Sequence, residues 1–190
     1  MNELDFIRRQ VATERRHMAA TRRALSAALA ADYAINLLAE FTPAAASYLV
    51  FIVTRFNRQD QAHCTILRPR ISAAATTDHD ILNDLTETLR QSSSAIATLG
   101  GAVSAYATAT DQDLPALLTA CRQYLHFFNT VLVQRRHAIY HLFAQHYALQ
   151  DWRDTSLVDA DAILQERSLY SAVTASLPAG IELQAASQTA

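Results

Sequence analysis

The chain has 190 residues, 16 basic against 18 acidic, a formal net charge of −2, and 51% hydrophobic residues, which suits one domain with a substantial core. Three glycines and four prolines argue against a many-stranded sheet and for long helices. The near-neutral charge argues against a nucleic-acid partner, and Cys64 and Cys121 are too few and too far apart for a zinc knuckle or a disulfide scaffold.

In chain order, the opening MNELDFIRRQ lacks the apolar centre of a signal peptide, so a cytoplasmic protein is expected. Leu4, Ile7, Val11, Met18, Leu25 and Leu29 recur at helical spacing and predict a first helix from Glu3 to about Glu40, ending at Phe41. Thr42 as N-cap and Pro43 as first helical residue predict the start of a second helix, which carries Tyr48, Leu49, Ile52, Phe56 and Ile66 and stops at Pro69. Its apolar run from Pro43 to Val53 is about half of the roughly 20 residues a membrane span needs. A buried helix and no membrane are expected.

Ile71 to Thr76 reads as a loop. Thr77, with Asp80 three residues on, opens a third helix with the stripe Leu82, Leu85, Leu89, Ile96, Leu99 and Val103, its end weakened by Gly100 and Gly101. The polar stretch Thr108 to Asp113 turns the chain, and Pro115 leads into a fourth, aromatic helix running to about Leu149. A linker with Trp152, a short helix from about Asp159 to Ala175 and a frayed tail from Leu177 complete the reading. The expectation is an all-α chain: an antiparallel up-down four-helix bundle with a short additional C-terminal helix. Residues 1–176 form its single domain and 177–190 its tail.

Several clusters carry chemistry in principle. His137 and His141 have the four-residue spacing that lets two imidazoles share a metal, but a third ligand from His126, His146, His63 or His79 has no sequence support, so surface or half-buried histidines are expected. Glu14 and His17 have the three-residue spacing of carboxylate-bridged helices; without a second such pair they read as a helix-surface charge pair. Every basic residue is arginine, and the pairs at 8–9, 15–16 and 22–23 form a ridge on the first helix that reads as solvated. His63 beside Cys64 is no catalytic dyad, because neighbours on a helix diverge by about 100 degrees. Tyr124, Phe127, Phe128, Tyr140, Phe143 and Tyr147 read as core, with any surplus forming a dimer surface.

The runs ALQDWRDT and ILQERSLYSAVTASLPAGI, preceded by ATERRHMAATRRAL, FNRQDQAHCTILRPR and ILNDLTETLRQSSSAIATLGGAVSAY, resemble the hemerythrin-like, or HHE cation-binding, family over nearly the whole chain. That resemblance implies a four-helix bundle holding two irons through inward-facing histidines and carboxylates. At the matching positions the chain has Arg15 where the first-helix histidine is expected, Phe56 to Asp60 in place of the second-helix ligands, Leu89 on the third helix, and Val131 and Arg135–Arg136 on the fourth. Arg15, Phe56, Asp60, Leu89, Val131 and Arg135 therefore define a vestigial pocket, closed by Phe56, Leu89 and Val131, with Arg15 or Arg135 pairing to Asp60 or Glu14. A guanidinium cannot deprotonate and would repel a dinuclear cation. The expected protein has no metal, cofactor or catalytic residue and acts as an interaction or regulatory module, with a homodimer or protein partner and no nucleic acid. The alternative is an iron, oxygen or nitric-oxide binder with a relocated histidine-carboxylate site.

Overall fold

The computed structural model describes residues 3–31, 33, 35–108, 113–132 and 140–183. Every regular element among them is helical and none is a strand. The helices are α1 (Glu3–Ala30), α2 (Ile35–Leu67), α3 (Thr76–Thr108), α4 (Leu114–Phe127), α5 (Tyr140–His146), α6 (Leu149–Thr155) and α7 (Ala160–Ala175). A 3₁₀ turn at Arg68–Arg70 follows α2 and a π turn at Phe128–Leu132 extends α4.

The first two helices part earlier than the sequence suggests. The expected helix to Glu40 ends at Ala30, and Thr42 and Pro43 lie inside α2 instead of opening it. Proline supplies no N–H for the carbonyl four residues back, and here that carbonyl, on Ala39, accepts the Tyr106 hydroxyl at 3.4 Å. A contact from α3 thus satisfies the group that proline leaves open. α3 likewise runs through Gly100 and Gly101 to Thr108: Leu99 and Tyr106 on either side are buried, and their burial outweighs the roughly 1 kcal/mol that each glycine costs a helix.

The predicted uninterrupted fourth helix is also corrected. Asp113 caps α4, its carboxylate accepting the Ala116 N–H at 3.0 Å, but the α pattern yields to the π turn at Phe128. Trp152 sits in α6 and not in a linker; the Asp151 carboxylate accepts the Ala148 N–H at 2.6 Å and so starts that helix. Asp159 caps α7 through the Ala162 N–H at 2.7 Å. Beyond α7, Pro178 and Ile181 are buried, and the Tyr33 hydroxyl donates to the Ala179 carbonyl at 3.3 Å.

α2 is the hub, packing against α1, α3, α4, α6 and α7. The apolar interior has two parts. The larger runs from Ile7 and Val11 through Leu49, Ile52 and Phe56 to Ile96, Leu117 and Tyr124; the smaller gathers Cys64, Leu67, Ile71, Leu82, Leu85, Leu89 and Leu142. On α2 and α3 the residues between the two are polar and buried: Asn57, Gln59 and His63 on one, Thr88 and Ser92 on the other. Asn57 and Ser92 exchange hydrogen bonds at 2.9 and 3.1 Å across the helix pair. Among the described residues α2 with its terminal turn, Ile35–Arg70, is long and apolar enough by composition to cross a membrane, and half of its most apolar window is buried against the other helices.

Candidate functional site

Where α1, α2 and α7 meet, charged side chains lie inside the protein. Glu14 of α1 is wholly buried and ion-pairs with Arg55 of α2, itself 8% exposed. Gln10 donates to the other Glu14 oxygen at 2.9 Å. Glu166 of α7, 1% exposed, accepts the Tyr48 hydroxyl at 2.9 Å and lies 2.9 Å from His17 Nδ1. His17 stacks on Tyr170 with centroids 3.7 Å apart, which fixes the imidazole between α1 and α7.

The geometry follows from helical periodicity combined with burial. Val11, Glu14 and Met18 share one face of α1, and Ile163, Glu166 and Val173 share one face of α7; all six are buried. A carboxylate in such a stripe must be paired, because an isolated buried charge costs several kcal/mol. Desolvation pulls the Arg55 pKa down, while Glu166 and Asp159 oppose that shift; guanidinium starts so high that it remains a cation. Burial first, and then the Glu166 charge, push the Tyr48 pKa far up, so its hydroxyl serves as a donor. The expected Glu14–His17 surface pair is thereby overturned: Glu14 is interior and pairs with Arg55, and His17 pairs with Glu166. Spacing shows that two residues share a helix face, but not that a distant helix covers that face.

The positions singled out by resemblance have these surroundings. Arg15 places its guanidinium carbon 5.5 Å from the Phe56 ring centroid. Phe56 belongs to the larger apolar cluster and Leu89 to the smaller. Asp60 approaches His63 Nδ1 at 3.7 Å, and Val131 lies half-buried in the π turn. Arg135, Arg136 and His137 fall outside the described residues. Arg15 is not the partner shown for Glu14; that is Arg55.

The polar layer has its own centre in His63, which the sequence reading placed among surface or half-buried histidines and which is 1% exposed. Its Nε2 lies 2.9 Å from the Thr155 hydroxyl. Thr155 donates to the Asp151 carbonyl at 2.7 Å, so it accepts from His63, and Nε2 carries the proton. Phe143, Tyr147 and Trp152 surround the imidazole edge-on at 5.2, 5.1 and 5.6 Å. This desolvation, opposed by Asp60 and reinforced by Arg15, pushes the His63 pKa down to about 4. Arg70 holds the same end of the molecule together, with Nη1 and Nη2 bridging both Asp151 oxygens at 2.5 and 2.8 Å.

A di-iron centre needs several neutral imidazoles and carboxylates converging on open space. The described residues do not present such a set. Glu14 is committed to a fixed cation, and no three His, Cys, Asp or Glu side chains converge for a metal among the described residues. Cys64 and Cys121 are buried free thiols whose pKa values burial raises to about 11 and about 12, which disfavours the thiolate a nucleophile requires.

No family model matches this sequence, and no curated protein and no solved structure is significantly similar to it. The sequence reading missed Arg55 and Glu166. Their signal was a charge in phase with an apolar stripe, Arg55 three residues after Ile52 and Glu166 three after Ile163.

Proposed function

We propose that this chain is a degenerate hemerythrin-like protein, an antiparallel up-down four-helix bundle in which an internal arginine, and not a metal, balances the inward carboxylates. It acts as a non-catalytic interaction or regulatory module in the cytoplasm. The observation that carries the reading is the Arg55–Glu14 pair, a permanent cation held against a wholly buried carboxylate. The packing of α1 on α2, α2 on α3, α3 on α4 and α4 on α1 supports the bundle arrangement.

The non-catalytic part rests on suppressed nucleophiles: both thiols have raised pKa values, and the Tyr48 hydroxyl is committed to Glu166. Exposed Phe6, Ile35, Leu37, Leu149 and Leu164 supply apolar contacts for a protein partner or a second copy. The cytoplasmic part is supported by α2, whose buried Arg55, Asn57, Gln59 and His63 would each be costly in a lipid environment.

Metal analysis of protein purified from iron-supplemented cells tests the reading. Substoichiometric iron and no visible oxo-bridge absorption are expected. Two irons per chain would overturn it and direct attention to His137 and His141.

A further inference from the structure

Beside the ionic cluster lies a groove of about 710 Å³ between α2, α3 and α7. That volume is in the range of small-molecule sites, roughly 300–1,000 Å³. Phe51, Val103 and Leu169 give it apolar walls, and Arg55, Arg58 and Asp159 are its charged lining. Asp159 is engaged at the start of α7, whereas Arg58 is exposed.

Arg55 is the unusual member. Its side chain is 91% buried (9% exposed) and Glu14 takes Nη2, but Nε and Nη1 have no hydrogen-bond acceptor among the described residues. Unmet buried donors are costly, more so when charged, and the groove is a space that Arg55 borders. A second observation marks the same place. Leu157, on the groove's edge, holds a left-handed backbone with φ of 47° and is 42% exposed. For a leucine this conformation is strained, and such strain concentrates at ligand sites.

We propose that the groove binds a small amphipathic monocarboxylate, its oxygens meeting the unpaired N–H groups of Arg55 and the guanidinium of Arg58, its aliphatic or aromatic body lying on Phe51, Val103 and Leu169. A carboxylate suits this lining better than a neutral carbonyl because Glu14 already balances Arg55, which leaves Arg58 as the cation facing the mouth. A phosphate monoester or other dianion would face Asp159 as well as the buried Glu14 and Glu166. The proposal rests on the non-catalytic binding reading above and names the ligand of that module.

Isothermal calorimetry of the full chain with octanoate, and separately with 1-octanol, tests it. Saturable binding of one octanoate per chain is expected, with octanol at least tenfold weaker. Arg58→Gln, on an exposed residue, should weaken octanoate at least tenfold. Ser104→Trp, which fills the mouth from an exposed position of α3 while leaving the ion pair intact, should abolish binding with an unchanged circular-dichroism melting profile. Absence of saturable binding, equal affinity for octanol, or indifference to both variants would overturn the proposal. Iron content separates the two readings: iron-free protein that ignores octanoate refutes only the groove, and di-iron protein that binds octanoate refutes only the metal-free module.

Discussion

His63 offers a quantitative test of the polar layer. Burial among Phe143, Tyr147 and Trp152 holds its pKa at about 4, against about 6.5 for an exposed histidine. Between these values the unfolded chain binds a proton that the folded one refuses, so stability falls as pH falls from about 6.5 to about 4 and levels off below. At pH 5.0 the unfolded imidazole is almost fully charged and the folded one about one-tenth charged, which amounts to about 2 kcal/mol relative to pH 7.5. Asp151, whose carboxylate Arg70 holds below its usual range, titrates beneath this window and does not mask the effect. Urea denaturation of the wild type and of His63→Gln at both pH values measures it; glutamine keeps a donor toward Thr155 and cannot titrate. The wild type should lose about 2 kcal/mol more than the variant on acidification, and its His63 ring resonance should titrate near pH 4. Equal losses in the two proteins would refute the claim that this imidazole is buried neutral.

Arg55→Met should destabilise the fold by about 3–5 kcal/mol because it strands Glu14 without a cation. Adding Glu14→Gln should restore most of that loss in urea melts, and a double variant no better than Arg55→Met would deny the coupling. Gly101→Ala should stabilise by about 0.5–1 kcal/mol, since an added Cβ meets nothing within 4 Å inside a continuous helix; an unchanged or lowered melting temperature would show α3 broken there in solution.

The helical class, the stripes of α1 and α3 and the Asp159 start of α7 were legible in the sequence because each depends on residues within one or two turns. Spacing alone predicted one apolar stripe on α3, Leu82, Leu85, Leu89, Ile96, Leu99 and Val103; the first five are buried and Val103 is half-buried, and the stripe divides between the two apolar clusters. The break between the end of α1 at Ala30 and the start of α2 at Ile35 was not legible. It contains neither glycine nor proline, and an i, i+3, i+4 stripe looks the same before and after it. Pro43 misled for a related reason: its local preference for a helix start is overridden by the Tyr106 hydroxyl, 63 residues away in sequence and 3.4 Å from the Ala39 carbonyl.

The site divides in the same way. The sequence alone showed that Arg15, Phe56, Leu89 and Val131 are poor metal ligands, since that follows from side-chain chemistry at single positions. It could not show which carboxylate each arginine meets. Glu14 was paired with His17 on spacing, but α7 lies across that face and brings Glu166 to His17 and Tyr48, leaving Glu14 to Arg55. Desolvation decides these partnerships, and desolvation depends on which helices pack together. Composition and periodicity therefore determined that the chain is all-helical with amphipathic stripes. Only the tertiary structure decided that Arg55 is the cation that meets Glu14.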